Sequence, residues 1–127
     1  MKREIFSSGG KWEPIIGYSR TVKVGDHVFV SGCTAADSSG TVSGDAFTQT
    51  VKTLENVKRA LALAGAKPEH VVRSTIFLQN IDDWEEVGKA HGQVFGEVRP
   101  AATMLEVSRF IAPEMLIEIQ VDAIITE

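Results

Sequence analysis

The chain has 127 residues and a mass of 13.8 kDa, which predicts one domain with about two-thirds of its extended surface buried and no need of disulfides or metals. Hydrophobic residues at 43% and charged residues at 24% exclude a disordered chain. A net charge of -4 and a pI near 5.4 argue against nucleic acid as the partner, and no apolar stretch approaches the roughly 20 residues of a membrane span.

In chain order, Met1-Lys2-Arg3-Glu4 has no apolar region behind it, so no secretory signal is expected. The lone Cys33 fits a reducing, cytoplasmic setting. No repeat or linker divides residues 1–127. Segments 20–23 and 27–33, separated by Gly25-Asp26, predict a β-hairpin with a tight turn, and 36–44 reads as a loop. From Asp45 the period changes. Phe47, Val51, Leu54, Val57, Leu61 and Ala64 share one helical face, with Asp45 as cap and Gly65 and Pro68 as stop signals. Residues 71–78 predict a buried strand. Asn80-Ile81-Asp82-Asp83 then offers caps for a second helix whose inner stripe is Trp84, Val87, His91, Val94 and Phe95, ending at Gly96. After Arg99-Pro100 come strands over 101–109 and 115–125. The predicted order ββαβαββ makes a mixed sheet with helices on one side.

Strand alternation assigns faces. Ile117, Ile119, Val121 and Ala123 share one face of the last strand, and Glu118, Gln120 and Asp122 the other. In the preceding strand Ala102, Met104, Glu106 and Ser108 lie together. The expected result is an apolar face under the helices and a mixed face carrying Glu106 and Glu118, open to self-association.

Gly9-Gly10-Lys11 lacks the frame of a phosphate-binding loop, and G-x-G-x-x-G is absent, so no nucleotide cofactor is expected. His27, His70 and His91 lack zinc-site spacing, so no metal is expected either. His91 on an inner stripe reads more readily as a core or interface residue than as a ligand. No positive neighbour of Cys33 is visible that would activate its thiol, which favours structural burial. Glu118 is the sharper oddity, since a carboxylate in an apolar strand must be paired, hydrogen-bonded or protonated. From spacing alone, a solvated place on the open sheet face or an inter-subunit ion pair is the favoured explanation.

Ile16-Gly17-Tyr18, Val28-Phe29-Val30-Ser31-Gly32, Leu54-Glu55-Asn56-Val57, Arg99-Pro100-Ala101 and Ile117-Glu118-Ile119 together resemble the YjgF/RidA (Rid) family, in its order and spacing over nearly the whole chain. The resemblance implies a chorismate-mutase-like α+β fold, assembled as a homotrimer with small-molecule clefts at the subunit interfaces. Its best-known members hydrolyse enamines and imines such as 2-aminoacrylate. They grip the substrate carboxylate with an arginine two positions after the motif proline, by paired hydrogen bonds that a neutral residue cannot supply. Here the motif reads Pro100-Ala101-Ala102-Thr103, and that arginine is replaced by Ala102. By the same resemblance Tyr18 and Gly32 are cleft residues, Glu118 is the acid that positions water, Gly88 stands where an asparagine is expected and Met104 where a cysteine is.

Arg99 lies three residues before Ala102, so strand parity sends the two side chains to opposite faces, and Arg109 is too far along. Losing one partner of a desolvated ion pair costs about 2–5 kcal/mol, roughly 30- to several-thousand-fold in affinity. The expectation is therefore a Rid-like protein whose activity on 2-aminoacrylate is weak or absent. It would act on an imine, enamine or related electrophile lacking a required carboxylate, with Glu118 catalytic. A noncatalytic metabolite-binding or regulatory module is the alternative, and an endoribonuclease the least favoured.

Overall fold

The computed structural model describes residues 1–127. A six-stranded mixed sheet, with two helices packed on one side, is built from β1 (Arg3–Phe6), β2 (Thr21–Val24), β3 (His27–Cys33), β4 (Val71–Leu78), β5 (Ala101–Glu106) and β6 (Ile117–Ile124). The helices are α1 (Ala46–Leu63) and α2 (Trp84–Phe95). Spatial order is β1-β2-β3-β6-β4-β5, antiparallel throughout except for the β4–β5 pair. A parallel pair requires a crossover, and α2 supplies it. No helix is long and apolar enough to cross a membrane.

Local chemistry explains most boundaries. Val24 pairs with His27, leaving a two-residue turn in which Gly25 takes φ +59°, the positive value that primed hairpin turns require. Asp45 caps α1, accepting from the Thr48 amide at 2.8 Å, and Gly65 ends that run at φ +76°. Asn80 caps a short 3₁₀ turn over Ile81–Asp83, and α2 continues from it.

The predicted helical stripes need rotation. Val51 is 37% exposed and Trp84 56% exposed. The buried side of α1 runs through Gln49, Thr50, Thr53, Leu54, Val57 and Leu61. Thr50 and Thr53 tolerate burial because their hydroxyls donate back to the Ala46 and Gln49 carbonyls, each at 2.7 Å. Gln49 donates to the Gly44 and Glu114 carbonyls and accepts from the Leu116 amide, all at 3.0 Å. Polar residues that complete their hydrogen bonds locally can occupy a core face that a hydrophobic count overlooks.

The core lies between α1, α2 and the covered sheet face, with Leu54, Leu61, Leu78, Ile117, Ile119 and Val121 almost wholly buried. Glu106 does not share the open face with Glu118. Parallel pairing sets Glu106 beside Leu78 on the helix side, whereas antiparallel pairing sets Glu118 beside Phe77 on the other. Glu106 accepts from the Ile81 amide at 3.1 Å. β1 went unread because four residues carry too little periodicity, and the fifth and sixth strands stop short of the expected 109 and 125.

The uncovered sheet face presents Phe29 (44% exposed) and Leu105 (38% exposed). The isolated chain exposes 7,523 Å², above the roughly 6,600 Å² expected of a monomer of this mass.

Candidate functional site

A β-bulge shapes the first part of the site. The β3–β6 register shifts between Val30 and Cys33, which leaves carbonyls without ladder partners. The Arg20 guanidinium takes them up, donating from one nitrogen to the Ser31 and Gly32 carbonyls at 2.8 and 2.7 Å. The same nitrogen lies 3.5 Å from Cys33 Sγ, and the group lies over the Tyr18 ring, 5.7 Å from its centroid. Ser31 donates its hydroxyl to the Ser19 carbonyl at 2.7 Å, closing the bulge against the chain that brings in Tyr18.

Glu118 reaches this bulge from β6. Its carboxylate rests against the α-carbon of Gly32 so closely that a β-carbon there would overlap Oε2 and stand 2.8 Å from Cδ. Glycine at 32 is thus a requirement of close approach. Glu118 is half-buried, makes no ion pair within 4 Å, and accepts no hydrogen bond from the chain. Burial pushes its carboxyl above the ordinary range, and the Arg20 charge opposes that rise. A carboxylate left with its lone pairs free on an open face is able to receive a proton from water or a bound ligand.

Cys33 is buried, and burial raises its thiol pKa despite Arg20 beside it. No cation adjoins Cys33 in sequence, but the fold supplies Arg20. Desolvation outweighs it, so the thiol stays protonated and unreactive at neutral pH.

Tyr18 is held by a second device. A π-helical turn, Glu13–Gly17, precedes it, and the Tyr18 amide donates to the Glu13 carbonyl at 3.0 Å. The Glu13 side chain is 5% exposed. Its Oε2 accepts from the Ser8 hydroxyl (2.8 Å) and from the Gly10 and Ser8 amides (3.0 and 3.2 Å). Burial alone would raise this carboxyl, yet hydrogen bonds from the Ser8 and Ser7 hydroxyls and from the amides outweigh it and hold the pKa low.

Gly88, Ala102 and Met104 lie elsewhere. Ala102 and Met104 are in register with Ser74 and Ile76, which places them on the helix side at the sheet's outer strand. Gly88 sits on α2 with open space where a side chain would project. One turn later His91 points its Nε2 at Ser74 Oγ, 2.9 Å away. Within one chain the six expected site residues therefore form two groups on opposite faces of the sheet. Tyr18, Gly32 and Glu118 converge through Arg20, while Gly88, Ala102 and Met104 face the other way.

Arg99 also behaves differently from expectation. It precedes β5 at φ +55° and donates its amide to the Phe95 carbonyl at 2.8 Å, closing the end of α2. Strand parity does not apply to a left-handed residue. Sequence reasoning missed Arg20 and Ser74 as site residues. Arg20 stands two positions after Tyr18 and opposite the Ser31–Gly32 segment of the hairpin, which was its available signal.

Comparison with known proteins bears on the family and the fold. The family model described as Endoribonuclease L-PSP matches residues 10–125. A RutC family protein, PYRAB12510 of Pyrococcus abyssi, is 34% identical over 94% of this chain and 95% of its own. The 3-aminoacrylate deaminase RutC of Acinetobacter baylyi is 33% identical over 94% and 95%. The crystal structure of Rv2704 from Mycobacterium tuberculosis, a member of the YjgF/YER057c/UK114 family, superposes with a TM-score of 0.89 at 42% identity, covering 98% of this chain and all of that one. These matches lead to one conclusion: the chain belongs to the Endoribonuclease L-PSP family, the YjgF/RidA/UK114 proteins.

Proposed function

We propose that the protein hydrolyses a neutral or cationic imine or enamine that lacks a required carboxylate, in clefts formed between the subunits of a homotrimer. One observation carries this reading. Glu118 is a half-buried carboxylate with no hydrogen-bond donor of its own, while the place of the anion-binding arginine is held by Ala102. Glu118 attracts a protonated imine, and position 102 offers no fork to an organic acid, while the Arg20 guanidinium is engaged by the Ser31 and Gly32 carbonyls. The division of the site residues between two sheet faces supports assembly, because a neighbouring copy is needed to set one group against the other. The apolar residues on the uncovered face and the large surface of the isolated chain support it as well.

In the reaction, Glu118 accepts a proton from water as the water oxygen bonds to the imine carbon. That proton is delivered to nitrogen, giving the carbinolamine. Glu118 then carries the carbinolamine hydroxyl proton to the same nitrogen as the carbon–nitrogen bond breaks, so that ammonia leaves and the carbonyl forms. An enamine first takes a proton from solvent on its β-carbon to become the imine. Tyr18 shapes the wall, Gly32 admits Glu118, and Gly88, Ala102 and Met104 make a small, uncharged opposite side. Ligand binding without turnover is the second reading, favoured by that uncharged side. RNA cleavage is disfavoured by the net charge of -4, although the family carries that description.

The test is ammonia release from enzymatically generated 2-aminoacrylate and from a panel of carboxylate-free imines, by wild type, Glu118→Gln and Ala102→Arg. Wild type should prefer the carboxylate-free substrates, and Glu118→Gln should lose about 10²-fold or more. Ala102→Arg should bind small carboxylates at least about 30-fold better. Equal turnover by wild type and Glu118→Gln would refute the hydrolytic role. Wild-type activity on 2-aminoacrylate matching that of an arginine-bearing relative would refute the substrate class.

A further inference from the structure

On the helix side of the sheet, Ser74 stands in register with Ala102 and meets His91. Ser74 is fully buried, and its hydroxyl has one hydrogen-bond partner, His91 Nε2 at 2.9 Å. A hydroxyl shut away from water must give its proton to an acceptor. Nε2 is the acceptor present, so the neutral ring carries its own proton on Nδ1. Burial lowers the imidazole pKa, which keeps the ring neutral at pH 7. Phe95 packs against it with centroids 4.7 Å apart and planes tilted by 47°, fixing its orientation. Nδ1 makes no hydrogen bond within the chain. Ser74 is in register with exposed Ala102 on the outer strand. Only a methyl group stands in register beside the Ser74 partner of His91, and the His91 side chain is itself partly exposed.

We propose that His91 determines specificity on this side of the cleft, its Nδ1–H donating to a neutral carbonyl oxygen, so that the cleft selects imines or enamines bearing an amide or ketone beside the reacting carbon. Ser74 is the positioning residue that sets the tautomer. This inference rests on the cleft assignment made above and names the substrate class within it. One neutral donor suits a carbonyl oxygen, whereas a carboxylate calls for the paired, charged hydrogen bonds that Ala102 cannot make.

Two measurements test it on the assembled protein. Long-range ¹H–¹⁵N correlation of the histidine rings should show His91 protonated on Nδ1 and bare on Nε2, and Ser74→Ala should shift it toward the other tautomer. Pyruvamide and pyruvate serve as neutral and anionic product analogues. Pyruvamide should perturb the His91 resonances and bind about tenfold more tightly than pyruvate, the worth of one hydrogen bond. His91→Phe, which retains an aromatic ring against Phe95, should erase that preference. An Nε2-protonated His91, no preference for pyruvamide, or a preference surviving in His91→Phe would each overturn the proposal. Imine turnover without the pyruvamide preference would overturn this inference alone. The preference without turnover would overturn the hydrolase reading alone.

Discussion

Gly32→Ala asks one methyl group to enter space that Glu118 occupies. The new carbon would overlap Oε2 and stand 2.8 Å from Cδ and 3.0 Å from Cγ, well inside the roughly 3.5–4.0 Å of a comfortable carbon contact. Gly32 is not in the left-handed region, so its backbone accepts alanine and the conflict is steric. Three consecutive atoms of Glu118 are involved, so turning the carboxylate about its last torsion does not clear them. The side chain must swing out, at a cost of about 1–3 kcal/mol for overpacking.

A smaller term opposes that cost. Burial raises the Glu118 pKa above its unfolded value, so the folded state penalises the charged form. The penalty is present above the folded pKa and vanishes as pH falls below the unfolded value of about 4.3. Swinging into water relieves it, by less than about 1 kcal/mol because the group is already partly solvated. The net destabilisation should be about 0.5–2 kcal/mol at pH 7 and larger near pH 4, where there is no charge penalty left to relieve. Urea unfolding at both pH values, with a ¹³C titration of the Glu118 carboxyl, measures both terms. In a Glu118→Ala background the same substitution should cost only a few tenths of a kcal/mol, the remainder appearing as coupling. An equal cost in both backgrounds, or an unchanged Glu118 titration in Gly32→Ala, would refute the reasoning.

Two further expectations concern the framework. Gln49→Leu strands a buried amide and two carbonyls that the Gln49 side chain now serves, and should cost about 2–4 kcal/mol in urea unfolding; less than about 1 kcal/mol would show that water replaces it. Glu13→Gln weakens three hydrogen bonds to Oε2 and should loosen the Tyr18 segment, seen as faster amide exchange over residues 8–18, with about 1–2 kcal/mol lost at pH 7. The Glu13 pKa is depressed in the fold, so its contribution is complete above the unfolded value of about 4.3 and is lost as pH falls through the lower folded value. The wild-type protein should therefore lose protection of this segment on acidification, and Glu13→Gln should show no comparable acid-dependent step.

Sequence by itself determined the order of five strands and two helices, because hydrophobic period, an Asp45 cap and glycine stops act over a few residues. It also determined the family, through short segments spread along nearly the whole chain, and the absence of a cation at position 102. Tertiary structure decided the rest. The parallel β4–β5 pairing put Glu106 and Glu118 on opposite faces, which strand parity within single segments cannot fix because parity says nothing about the hand of pairing. Burial of Gln49, Thr50 and Thr53 depended on acceptors and donors supplied by backbone they meet only once folded. Arg20 became part of the site because a bulge 11 to 12 residues away in sequence presents it with two free carbonyls. His91 gained a hydrogen-bond partner in Ser74, 17 residues distant. Local periodicity is written in neighbouring residues, whereas the partners that set charge, tautomer and approach are chosen by pairing between distant ones.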